Sequence, residues 1–283
     1  MSNHVISSDI LKVEVSSKGA EVTGLFLEGK KHNWIWSAEE PWQRSAPILF
    51  PIVGKLKNNS YIHDNKIFNL SQHGFARDFE FDTVRISESK IGFRLVGNPL
   101  TREKYPFDFS LTIDYEVLES KLKVAYKVRN LSNEMMYFNL GWHPGFILPQ
   151  HNNSILTVSS PKGFHKKYLL ENGLLKSESL VDLEGLQKIV IGPQSFSQDA
   201  WIFIDSHQRE VKISNEFSDQ VTIRSSAPHW GIWSSDPGKF VCIEPWWGFN
   251  DIANASGVLS EKNGIQSLES GEEWASSVEV EIL

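Results

Sequence analysis

Apolar and polar positions alternate with a period of two along most of this chain. Leu11, Val13 and Val15 share one face, Val22 to Leu27 follows Gly19, and Trp34-Ile35-Trp36 follows the turn at Glu28-Gly29-Lys30. The clearest hairpin pairs Phe109, Leu111, Ile113, Tyr115 and Val117 with Leu122, Val124, Tyr126 and Val128 across Glu119-Ser120-Lys121, and both strands carry a full polar face. The same period recurs at Phe79 to Ile86, Ile91 to Val96, Trp201 to Asp205, Val211 to Ser214, Val221 to Ile223 and Val278 to Ile282. Helical signals are confined to Leu100 to Tyr105 and Gly185 to Val190, with no long stripe at 3.6-residue spacing. The pattern predicts an all-β, antiparallel protein. Turn residues are spread throughout, and no linker, charge block or repeat marks a boundary. Residues 1–283 therefore read as one domain, two large sheets packed face to face with a groove built from loops and strand ends.

Two segments break the monotony by ending an apolar strand on a polar side chain beside a proline. In YFNLGWHPGF, Phe138, Leu140 and Trp142 fall on one face, while Tyr137, Asn139, Gly141 and His143 fall on the other. Pro144 holds His143 extended at the strand end, and Gly141 leaves room for a ligand to approach the backbone. In FVCIEPWWG, Phe240, Cys242 and Glu244 share a face, and Pro245 closes the run. A carboxylate in so apolar a stretch is costly to bury without a partner or a task. A histidine and a glutamate placed alike suggest an acid/base pair.

Composition narrows the partners. The 10 Trp, 17 Phe and 6 Tyr favour strands and surfaces that stack on flat apolar faces such as sugar rings. A formal charge of -7 without a basic cluster disfavours nucleic acid, while a local pocket for an anionic substrate remains open. Cys242 is the single cysteine, which excludes an internal disulfide and any multi-cysteine zinc site. The first fifteen residues lack the pattern of a signal peptide and no run reaches ~20 apolar residues, so a soluble cytoplasmic protein without membrane contact is the expectation. The N-x-S sequons at Asn58, Asn130, Asn152 and Asn254 are then accidental.

Other polar residues carry two readings each. Lys55, after APILFPIVG, is either a surface lysine beside a buried edge strand or a cation at the rim of the groove. In SQHGFAR, His73 either caps a turn or binds substrate. Arg77 either pairs with Asp78 or Glu80, or recognises hydroxyls or a phosphate. Asp199 is either a turn residue or an acceptor for vicinal hydroxyls. His151, His165, His207 and His229 lie among loop-like residues and receive no role. The motifs for P-loop phosphoryl transfer, Rossmann hydride transfer, zinc proteolysis and serine hydrolysis are missing.

Taken together, the ordered blocks GAEVTGLFLEGKKHNWIW, APILFPIVGKLK, SQHGFARDFEF, FNLGWHPGF, SQDAWIFI, CIEPWWGFND and SLESGEEW resemble the aldose 1-epimerase (galactose mutarotase) superfamily, in particular its glucose-6-phosphate 1-epimerase-like branch. The resemblance implies an antiparallel β-supersandwich that needs neither metal nor organic cofactor. It implies a sugar or sugar phosphate as substrate. It makes His143 the general acid and Glu244 the general base, with His73, Arg77 and Asp199 as sugar contacts. Lys55 stands where relatives often have arginine, so a bidentate grip becomes a point charge.

The implied reaction interconverts the α and β anomers of a hexose or hexose 6-phosphate. A nearby carboxylate favours imidazolium and imidazolium favours carboxylate, while desolvation opposes both charges. Two other classes compete with this reading. A non-catalytic carbohydrate-binding domain would not need both His143 and Glu244, and a glycosidase would usually carry two carboxylates.

Overall fold

The structure, a computed structural model, describes residues 2–148, 156–206, 208–216 and 219–283. His151, Asn152 and His207 lie outside them. Strands dominate, as the alternation predicts. The hairpin forms as Phe109–Leu118 and Lys121–Asn130, with strict inward and outward alternation. Its apolar face packs inward and its charged face pairs across strands, for example Lys127 with Glu273.

Hydrogen bonds run unbroken through one fifteen-stranded antiparallel sheet, rather than two separate large ones. Its path starts at Ile48–Leu49 and passes Leu140–Trp142, Val241–Trp247, His229–Trp233 and Trp201–Phe203 before reaching the long Leu156–Glu171. It continues through Glu273–Ile282 and the hairpin to Asp82–Ile86. The sheet folds over on itself. Phe50, after the first strand, lies 5.0 Å from Phe109, and Trp247 lies 5.8 Å from Tyr126 on the hairpin. Strand twist, together with three register shifts between Leu156–Glu171 and Leu174–Ile191, bends the sheet until both halves share one apolar core. The sandwich follows from a single sheet.

Several local expectations change. Gly185 to Val190 belongs to the strand Leu174–Ile191, because pairing with Leu156–Glu171 overrides its weak helical signal. Helix is found at Pro99–Arg102, started by an Asn98 capping box and shorter than the predicted Leu100 to Tyr105. Trp34 to Trp36 makes only a bridge from Ile35 to Phe146. His165 lies within a strand, and His229 opens one and is buried.

Pro245 does not end its strand, which continues to Trp247. Ile243 N–H points toward Pro144, and Pro245, two residues on, directs its nitrogen the same way. By register Pro245 falls opposite Trp142, the last residue before the neighbouring strand is interrupted, a strand-end position that suits a residue without an N–H. Gly141 is not open to a ligand either. A Cβ at that position would stand 2.8 Å from the Trp246 ring, so the glycine makes room for an indole.

Candidate active site

The interruption at His143-Pro144 builds the site. Leu140–Trp142 and Gly145–Phe146 both pair with Val241–Trp247, and Leu140 opposite Trp247, Gly141 opposite Trp246, Gly145 opposite Cys242 and Phe146 opposite Val241 all obey one register. Continued across the gap, that register sets His143 directly opposite Glu244. The loop at the gap stays fixed because His143 N–H donates to the Pro47 carbonyl and Gly145 N–H to that of Ser45. His143 Nε2 lies 3.2 Å from Glu244 Oε2, and both residues are buried. Beyond His143 and the Trp246 indole, no protein group is placed to bond the carboxylate oxygens. A buried carboxyl group with so few partners needs an explanation.

The groove holds about 350 Å³ and is lined by His143, Glu244, His73, Arg77 and Asp199 together with Trp42, Gln72, Leu170, Ala200, Trp233, Trp246 and Asn250. Five of the six residues singled out from the sequence thus meet in one cavity. Lys55 does not. It lines an adjoining recess of about 720 Å³ with Glu171, Lys176 and Gln198, where its Nζ donates to the Asn172 carbonyl at 3.0 Å. Its stem lies against Gly173, so it also braces the turn between Leu156–Glu171 and Leu174–Ile191. Gln72, Leu170 and Asp199 line both spaces.

His73 is fixed by Gly54. Gly54 N–H donates to His73 Nδ1 at 3.1 Å, and His73 N–H returns a bond to the Gly54 carbonyl at 2.8 Å. Nδ1 is therefore an acceptor, and the proton of the neutral ring resides on Nε2. The Gln72 amide nitrogen stands 3.3 Å from Nε2, and the amide must be turned over for its oxygen to accept from that ring N–H. Burial pushes the His73 pKa well down, with His143 and Arg77 adding to the effect. Gly74, at φ +71, lets this turn press against the Phe50 carbonyl, where a Cβ would collide.

Arg77 donates from Nη2 to the Gln72 carbonyl at 2.7 Å, while Asp78 pairs with Arg44. Burial, with Arg44 nearby, lowers the Arg77 pKa to about 10, which leaves it cationic at neutral pH. Asp199 sits exposed at the mouth with φ +71, and its Oδ1 accepts from Ala200 N–H. It is a turn residue by conformation and a groove residue by position.

The electrostatics of the central pair run against the expected mutual charging. Burial, then the cations Arg77 and Arg44, lower the His143 pKa to about 3. Burial raises that of Glu244 well above the carboxylate range, opposed by the Trp246 indole and reinforced by Asp199. Desolvation wins on both partners. Burial thus favours the uncharged form of each partner, imidazole and carboxylic acid.

The aromatic residues at this site had no individual assignment from sequence. Trp42 stacks on His143 at 4.9 Å, and Trp233 meets the same ring edge-on at 5.8 Å. Of these, only Trp246 adjoined a motif, CIEPWW, that could have flagged it.

This folded-over sheet with a polar, aromatic-walled groove is the galactose mutarotase-like architecture. A galactose mutarotase related enzyme from Lactobacillus acidophilus is similar at 32% identity, with a TM-score of 0.95 over 100% of this chain and 97% of that one. A galactose mutarotase-like protein from Lactobacillus casei ATCC 334 is similar at 25% identity and a TM-score of 0.92, with all of both chains covered. The chromosomal protein LacX of Lactococcus lactis subsp. lactis is 27% identical across 91% of each chain. Residues 3–281 match the family Aldose 1-epimerase, and the chain belongs to that family. Membership supports a mutarotase-like function of isomerase type. No helix among the described residues is long and apolar enough to cross a membrane.

Proposed function

We propose that this protein interconverts the α and β anomers of a hexose or hexose 6-phosphate, with His143 and Glu244 exchanging protons with the sugar. The observation that carries this reading is the opposed pair, 3.2 Å apart and buried, whose carboxylate has only His143 and the Trp246 indole beside it. Glu244 as carboxylate takes the proton of the C1 hydroxyl, and His143 as imidazolium protonates the ring oxygen while the C1 to ring-oxygen bond breaks. The open-chain aldehyde then faces a neutral imidazole and a carboxylic acid. Rotation about C1–C2 presents the other carbonyl face, and reclosure returns both protons.

The pair alternates between an ion pair with the ring closed and a neutral pair with the ring open. Burial pushes both groups toward the neutral arrangement, which is the proton state of the open-chain intermediate. Sugar hydroxyls donating to Glu244 supply the stabilisation that the carboxylate lacks in the free site. General acid and base help is worth ~10²–10⁴-fold. His73 Nε2–H and Arg77 serve as donors to sugar oxygens, Asp199 as an acceptor, and Trp42 and Trp233 as walls for the C–H face of the ring. A 6-phosphate would extend into the adjoining recess near Lys55 and Lys176.

Polarimetry on freshly dissolved glucose, galactose and glucose 6-phosphate tests the reading. Acceleration of the optical change by catalytic amounts of protein is expected for at least one of them. Saturable sugar binding without any acceleration would instead identify a carbohydrate-binding domain.

A further inference from the structure

Behind the pair lies the molecule's single cysteine. Cys242 is two residues before Glu244 on the same face of its strand, opposite Gly145, and its thiol is free and fully buried. One donor atom from each of His143, Cys242 and Glu244 lies within 4.8 Å of the other two. We propose that these three side chains form a site for a borderline-soft divalent cation of the zinc class, and that its occupancy silences the proton exchange.

The donor set is what carries the assignment. One imidazole nitrogen, one thiolate and one carboxylate match the preferences of zinc, and three protein ligands with an open fourth position are the arrangement of accessible zinc sites. Both His143 and Glu244 line the groove, so a cation has an entry path to the three side chains. Bond lengths of ~2.0–2.3 Å around a tetrahedral ion place donors about 3.3–3.8 Å apart. The His143 to Glu244 separation of 3.2 Å is already near that range, and the thiol needs a shift of about 1 Å at most.

A second observation points the same way. Glu244 has no exposed surface, and beyond His143 and the Trp246 indole no protein group is placed to bond its oxygens. When the thiol and the carboxylic acid release their two protons to solvent, a dication with one thiolate and one carboxylate is electrically neutral, which suits a desolvated pocket. The other grouping of this kind among the described residues, His63 with Asp64 and Glu134, has both carboxylates exposed and offers no such enclosure.

The silencing follows from lone pairs. A metal-bound imidazole nitrogen cannot carry a proton to the ring oxygen, and a metal-bound carboxylate is a poor base. This part rests on the proposed epimerase activity, whereas cation binding does not.

The test is a cobalt titration of the intact protein after chelator dialysis, followed by absorbance, with anomerisation measured in parallel under zinc. One equivalent of Co²⁺ should produce a thiolate-to-cobalt charge-transfer band, and zinc should abolish the acceleration until chelator is added. Folded Cys242→Ala and Cys242→Ser variants should lose the band and need at least ~10-fold more zinc for inhibition, since even outer partners of a metal site are worth ~10–100-fold. The wild-type spectrum decides on its own should neither variant fold. Folded wild type with no charge-transfer band overturns the site, as do cysteine variants with undiminished zinc sensitivity. Full activity with the band present overturns the silencing. A band in a protein without anomerase activity keeps the site and discards the function proposed above.

Discussion

His143 and Glu244 stand opposite one another on adjacent antiparallel strands, at the one point where the histidine's strand is interrupted. The pair has to be buried to meet, and burial makes each group resist charge. For Glu244 the folded pKa lies above its unfolded value of 4.5, so the folded state keeps a proton that the unfolded chain loses as pH rises. Its contribution to stability is present at low pH and is lost as pH climbs from 4.5 toward the folded value, at up to about 1.4 kcal/mol per pH unit. Glu244→Gln removes this titration. The midpoint of thermal unfolding of the variant, relative to wild type, should rise with pH above 4.5, and a pH-independent difference contradicts the assignment.

The bonds between Gly54 and His73 make His73 a fixed donor. His73→Phe keeps the ring but loses the Nε2–H, and it leaves Gly54 N–H without its acceptor. We expect kcat/KM to fall roughly 10-fold through KM, and stability to fall by about 1–3 kcal/mol. Sugar kinetics and urea titration read the two effects separately. Unchanged KM would remove His73 from the sugar contacts.

Trp42 shields the His143 imidazole by stacking on it. Trp42→Ala admits water to that face and weakens the desolvation that holds the His143 pKa near 3. NMR titration of the imidazole should show the value move upward toward 6.5, together with a loss of kcat. A value that stays put means the shielding comes from elsewhere.

Behind the groove, Lys262 is buried with Nζ 3.1 Å from Asp251 Oδ1, and it also donates to the Phe249 carbonyl. Asp251 accepts from Lys57 N–H, and neighbouring Asn250 donates to the Gly173 carbonyl. This lattice ties the segment after the Glu244 strand to the Lys55 segment and to the 172–173 turn. Lys262→Met leaves a buried carboxylate without its cation and should cost about 3–5 kcal/mol in urea unfolding. Adding Asp251→Asn, which still accepts from Lys57, should recover part of that loss. Equal stability of Lys262→Met and wild type would mean the pair is dispensable.

The strands and the faces of their side chains were legible because a period of two is local, as the hairpin Phe109–Leu118 with Lys121–Asn130 shows. Parity likewise put Glu244 and Cys242 on one face. What parity cannot give is register between strands a hundred residues apart, and it is register that sets His143 against Glu244. Pro245 misled for a related reason, since whether a missing N–H ends a strand depends on what lies opposite. The pair's proton state was unreadable too, because attraction and desolvation oppose each other and only the burial of both groups decides between them. Lys55 carries two readings in the sequence, a surface lysine or a rim cation, and its place in a neighbouring recess depends on the Asn172-Gly173 turn, far away in sequence.

The central claim is that His143 and Glu244 carry the proton exchange. The most direct measurement is NMR magnetisation exchange between the α and β anomeric protons of an accepted sugar, with wild type, His143→Ala and Glu244→Gln compared at equal concentration of folded protein. The account predicts rapid exchange with wild type and the uncatalysed rate with each variant, although both still bind sugar. Exchange at the wild-type rate in either folded variant would contradict it.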